Sequence, residues 1–173
     1  MTSAPRIPLP EPGELRADAE QLVAAIAQPG REPAKTMAIL AYQPELLSPF
    51  LGWAAALALN GVLSKGDHEL LALRAASNNK SEFEWVEHVE YARGAGLTEE
   101  EITAAAEPVE GFAWTDPQVA LLHAADDLHK HGTIKDKTWT NLAHHYDKQK
   151  LVEILYVVGQ YAMLSMVANA AGI

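Results

Sequence analysis

Three times along this chain a hydroxyl residue stands three positions ahead of a carboxylate and just ahead of an apolar-periodic run, and that punctuation limits the fold more than any other feature. The pairs are Ser64 with Asp67, Ser81 with Glu84, and Thr98 with Glu101. In each, the side chains satisfy backbone amides that a helix start leaves without partners. Thr115, Asp116 and Pro117 add a fourth start, since proline suits the first helical position, and Asp147 caps a fifth. Stop signals stand at Asn60 with Gly61, Asn78 with Asn79, Gly94 or Gly96, and Gly132.

The first predicted helix covers residues 14–27, where Leu15, Leu22, Val23 and Ile26 fall at helical spacing until Pro29 and Gly30 end the pattern. A second region covers residues 44–59, with Ser48 and Pro49 suited to a fresh cap and first turn. Helices then follow from Ser64 to about Ser77, from Ser81 to Gly94 or Gly96, from Thr98 onward, from Thr115 to Gly132, from about Asp136 to Tyr146, and from Asp147 to the end. No stretch alternates apolar and polar residues long enough to argue a strand. The expected fold class is all-α.

With 173 residues, 49% of them hydrophobic and 21% charged, the chain has the material for one compact core and too little charge for intrinsic disorder. Residues 14–173 read as a single domain. Residues 1–13, which hold Pro5, Pro8, Pro10 and Pro12, read as an extended N-terminal arm. Thirteen Lys and Arg against 23 Asp and Glu give a net charge of −10, which repels a phosphate backbone, so no nucleic-acid partner is expected. The absence of cysteine removes disulfides, thiolate metal sites and thiol catalysis. Residues 151–173 are long and apolar, but Glu153, Gln160, Ser165 and Asn169 interrupt them and nothing brackets them as a membrane anchor requires. A buried central helix, no membrane contact and a cytoplasmic location are the expectations.

Steps of three and four residues place Ser81, Glu84, His88 and Tyr91 along one helical stripe. A carboxylate one turn from an imidazole fixes its tautomer and favours its cationic form, which suits the ring to proton transfer. Glu69, beside the apolar run Leu70 to Leu73, could complete a three-member acid–base group. Capping alone also explains Ser81 and Glu84, and an ordinary surface pair explains Glu84 with His88. Trp85 either walls a pocket or packs in the core. Tyr156, Gln160, Tyr161 and Asn169 need partners if buried, in the cavity at His88 or at a subunit contact. Asp126, Asp127, His129, His131, His144 and His145 invite a metal reading, but neighbours in sequence do not share a helical face and no His-Glu-x-x-His string occurs, so no metal is expected. Ser81 lies too far from His88 along one helix for a serine–histidine nucleophile.

The string Glu82-Phe83-Glu84-Trp85 with His88, then Ala92-Arg93 and Gly96 to Ile102, resembles the carboxymuconolactone decarboxylase family, which includes the AhpD-type alkylhydroperoxidases. The similarity extends to Gly159 to Met163 and Asn169, and so covers roughly residues 35–172. It implies an AhpD-like helical bundle, a homo-oligomer (trimer or hexamer), a small-molecule substrate and no cofactor. The peroxidase branch carries a glutamate, a Cys-x-x-Cys pair and a histidine, and the matching positions here are Glu69, Ser81, Glu84 and His88. Serine and glutamate in place of both thiols exclude thiol peroxidase chemistry.

The resemblance then implies the decarboxylase-like branch, acting on a small carboxylated unsaturated lactone or related metabolite. In that reading His88 shuttles a proton, Glu84 orients His88, and Glu69 is a second proton-transfer or hydrogen-bonding group. Arg74 holds a substrate carboxylate or forms a buried ion pair with Glu69 or another acid. Ser81, Trp85, Tyr91 and Tyr161 are the other candidate substrate contacts. The N-terminal extension, which the compact decarboxylases lack, keeps the exact substrate from carrying over. Isomerisation, dehydration and lactone hydrolysis ask the same groups to move protons, and a non-catalytic binding or structural role is the alternative of a different class.

Overall fold

The computed structural model describes residues 4–26 and 33–173, and among them nine α-helices and one 3-10 turn make up the regular structure, with no strand. The all-α expectation is met. The chain forms two compact units, one from residues up to Gly61 together with Val167–Ile173, the other from Val62–Met166.

The first unit contains α1 (Ala17–Ile26), α2 (Lys35–Leu40) and α3 (Pro44–Asn60). Both α1 and α2 pack on α3, around the buried Ala19, Ala41 and Leu47. The stop expected at Pro29 and Gly30 lies outside the described residues. Helix α2 was not predicted: it is one short stretch whose N-cap, Ala34, offers no side-chain hydrogen bond, so nothing local announces it. Ser48 and Pro49 do not open a helix, because Pro49 lies inside α3. The Gln43 carbonyl already accepts from the amides of Leu46 and Leu47 at 3.0 and 3.2 Å, so the helix is established before Pro49 and loses only one internal bond there. From the N-terminal arm, the amides of Arg6 and Ile7 donate to the Ala171 carbonyl at 2.7 and 3.2 Å and satisfy a helix-end acceptor.

The second unit contains α4 (Lys65–Asn78), α5 (Glu82–Gly94), α6 (Glu99–Ala104), the 3-10 turn Val109–Gly111, α7 (Asp116–His131), α8 (Asp136–His145) and most of α9 (Lys148–Ala171). The caps read from sequence are present. Ser64 Oγ accepts from the Asp67 amide at 3.0 Å, Thr98 and Glu101 form a reciprocal box, and Asp147 Oδ1 accepts from the Lys150 amide at 3.0 Å. Gly132 ends α7 at φ 67°, a left-handed value that glycine adopts without a Cβ clash.

Helix α4 packs against both α5 and α7, and every residue from Leu70 to Ala76 is buried, as a helix apolar all round requires. Leu70 and Leu73 join Ala92, Ile102, Val109, Trp114 and Leu122 in one core, against which Trp85 and Val89 pack. Helix α9 is long and apolar enough to cross a membrane by length and composition, and half of that window is buried inside the protein. Glu153 on α9 accepts hydrogen bonds from the backbone amides of Val62 and Leu63, so its charge is used to hold the chain entering the second unit.

The turn from α4 to α5 is tight. The Lys80 amide donates to the Ser77 carbonyl at 2.9 Å and the Ser81 amide to the Ala76 carbonyl at 3.0 Å, the paired bonds of a Schellman ending. Lys80 takes the left-handed position usually given to glycine, at φ 53°.

Candidate functional site

Glu69 projects from α4 and Glu84 and His88 from α5, and the tight turn keeps those two helices packed together. His88 Nδ1 lies 2.7 Å from Glu69 Oε2, while His88 Nε2 lies 3.7 Å from Glu84 Oε2. Glu69, which the sequence reading offered as a hydrogen-bonding group, makes the close contact, and Glu84, which it offered as the orienting carboxylate, lies farther off at ion-pair distance. An imidazole that donates from Nδ1 to a carboxylate presents Nε2 on its other side, here toward Glu84.

The reason Glu84 is free to face His88 lies in its own helix start. Ser81 caps α5, its Oγ accepting from the Glu84 amide at 3.4 Å. The return half of the expected capping box does not form, because the Ser81 amide is already committed to Ala76. Glu84 is only 3% exposed, and burial pushes its carboxyl up to about 7, with the nearby His88 opposing the shift and Glu87 adding to it. A carboxyl that gains and loses its proton near neutrality therefore faces Nε2 of an imidazole held from its other side.

Aromatic rings surround His88. The Tyr161 ring, from α9, meets it edge-on with centroids 4.3 Å apart and an angle of 73°, and the Tyr91 ring lies 5.6 Å away, tilted. Tyr91 is 40% exposed while His88 is 7% exposed, so Tyr91 marks the solvent side of the cluster. The Tyr161 hydroxyl meets His68 Nε2 at 2.8 Å. Burial holds Tyr161 above the ordinary phenol range and draws His68 below the ordinary imidazole range, so it favours the neutral form of each. Sequence reasoning missed His68. Its signal was a histidine next to Glu69 at the head of an apolar run, a place where a buried polar side chain needs a partner.

Three other residues fall elsewhere. Arg74 makes the buried ion pair that the sequence reading held open beside substrate binding: its guanidinium binds Asp126 through two bonds of 2.7 Å and the Ala105 and Glu107 carbonyls at 2.9 and 2.7 Å. Its acid is Asp126, not Glu69, and Asn78 supports Asp126 at 2.9 Å. Trp85 packs against the core, the alternative to a pocket wall. Ser81 is buried and used as a cap, with no reach toward a substrate from that bond. Asp127 pairs with Lys135 at 3.0 Å, and no group of three or more His, Asp or Glu is placed to hold a metal ion among the described residues.

Comparison with known proteins agrees with this architecture. Residues 44–127 match the carboxymuconolactone decarboxylase family. An uncharacterised peroxidase-related protein from Silicibacter sp. TM1040 superposes with a TM-score of 0.84 at 19% identity, over 98% of this chain and 90% of that one. A second peroxidase-related protein, an alkylhydroperoxidase AhpD core from Ralstonia eutropha JMP134, gives a TM-score of 0.82 at 20% identity, over 97% and 90% of the two chains. A protein of unknown function from Agrobacterium tumefaciens gives 0.68 at 24% identity, over 74% and 88%. At these identities the superpositions establish the fold, and no curated protein matches the sequence. Over residues 44–127 the chain matches the carboxymuconolactone decarboxylase family, and its fold is that of its AhpD-like structural neighbours, on a sequence without cysteine.

Proposed function

We propose that this protein is a cofactor-independent enzyme of lyase type, which moves a proton through His88 during decarboxylation of a small unsaturated lactone acid or a related metabolite. The observation that carries the reading is the hydrogen bond from His88 Nδ1 to Glu69, which leaves Nε2 facing the near-neutral carboxyl of Glu84. The C–C bond to the carboxylate breaks, carbon dioxide leaves, and the electron pair passes into the conjugated lactone carbonyl. The resulting dienolate carbon takes the proton from His88 Nε2, and Glu84 returns one to the ring. Arg74, committed to Asp126, has no part in this step. Thiol peroxidase turnover is excluded on this chain, which has no cysteine.

A second reading, a binding or structural role without turnover, is favoured by one observation: Glu84 and His88 are almost wholly buried. The two readings separate in a mass-spectrometric screen of small unsaturated lactones and carboxylic acids. Carbon dioxide release that falls about 10²–10⁴-fold in His88→Ala and Glu84→Gln supports the enzyme, that being the usual contribution of a proton-transferring side chain. Unchanged turnover in either variant removes that residue from the mechanism, and no turnover across the panel favours the second reading. We propose in addition that the chain self-associates through α9, where Val152, Tyr156, Met163 and Met166 are exposed.

A further inference from the structure

We propose that His68 and Tyr161 are a positioning pair for His88, fixing the plane of its ring while Glu69 fixes one of its atoms. The inference rests on the acid–base reading of the site and deepens it. A single hydrogen bond at Nδ1 leaves an imidazole able to rock about its Cα–Cβ and Cβ–Cγ bonds within the tolerance of that bond, and the rocking swings Nε2 through space. The surface that stops this motion is the Tyr161 ring, set edge-on at 4.3 Å and 73°. Tyr161 is itself held at its far end by His68 Nε2, 2.8 Å from the phenol oxygen, with the side chain of its neighbour Gln160 as a second hydrogen-bond partner, and all three residues are buried.

The arrangement follows from adjacency on α4. Consecutive residues on a helix point about 100° apart, so His68 and Glu69 reach in different directions from one turn. Glu69 meets His88 directly, and His68 meets it through the ring of Tyr161 on α9. The His68 and Tyr161 rings stand nearly perpendicular, at 84°, so that the imidazole edge meets the hydroxyl end of the phenol. The phenol oxygen makes no proton transfer in this scheme. Its bond to His68 sets the tilt of the Tyr161 ring, and that ring sets where His88 Nε2 points.

The experiment is nitrogen-15 spectroscopy of histidine-labelled full chain without ligand, on Tyr161→Phe, His68→Leu, the double variant and His68→Gln. The phenylalanine variant keeps the ring volume and removes only the hydroxyl, so folding is retained. The expected result is one sharp His88 ring signal with the proton on Nδ1 in the wild type, broadened alike in both single variants and no further in the double. His68→Gln, whose amide still meets the phenol, recovers the signal lost in His68→Leu. Where a substrate is found, kcat falls about tenfold at unchanged KM in both single variants, as expected for small misplacement of a reacting atom. Unchanged His88 signals in folded Tyr161→Phe and His68→Leu, or additive changes in the double, overturn the pairing. The ring signals are read without turnover, so an absence of activity across the lactone panel defeats the enzyme reading and leaves this inference to be decided by the spectra.

Discussion

Glu84 stands where the family resemblance would place a thiol of the peroxidase branch, and its environment gives the carboxyl a property a solvent-exposed glutamate lacks. Its ordinary value is 4.5, and burial raises it to about 7 in the folded protein. Between those values the folded chain holds a proton that the unfolded chain has released, so stability is fully present below pH 4.5, declines as pH rises through 7, and is level above. The shift corresponds to about 3 kcal/mol. Urea unfolding at pH 4.5 and pH 8 should show the wild type losing about that much more than Glu84→Gln across the interval. A difference between the two proteins that does not change with pH removes the shift. The sequence made Glu84 and His88 visible because their spacing is local. It could not assign the close partner of His88, since Glu69 reaches the ring from another helix, nor the partner of Arg74, which is Asp126 on α7.

Among the elements, legibility followed side-chain chemistry at helix ends. Thr98 with Glu101 and Asp147 announced their helices through bonds that the folded chain makes. Helix α2 has no such cap at Ala34, and Pro49 misled because proline is common at helix starts yet survives here inside α3. At the α4–α5 turn the stop at Asn78 and Asn79 was legible, but the left-handed residue was not, because a lysine fills the place where a glycine would have announced it. Lys80→Gly removes the Cβ clash at φ 53° and gives back part of the gain to the freer unfolded chain. The net stabilisation expected is about 0.5–1 kcal/mol, read as a higher urea midpoint at unchanged slope. Lys80→Ala, which keeps a Cβ, should show no such gain. Equal midpoints for glycine and alanine would falsify the assignment of strain to that residue.

At the scale of the whole molecule, α9 joins two properties that the sequence presented as one. Its apolar length was legible, and Ile154, Val157 and Ser165 are buried as a central helix requires. The exposed Val152, Tyr156, Met163 and Met166 are the remainder, and they underlie the proposed self-association. Light scattering should give a mass at least twice that of the 18.7 kDa chain, lowered to a single chain by Tyr156→Glu with Met163→Glu. A single-chain mass for the wild type ends the proposal. The same helix has a further consequence, through Tyr161. Chains emerge from the ribosome N-terminus first, so Glu69, Glu84 and His88 are all synthesised before the residue that forms the wall beside His88. A message cut short by a premature stop before Tyr161 encodes every acid and base of the cluster and lacks the surface that aims the imidazole.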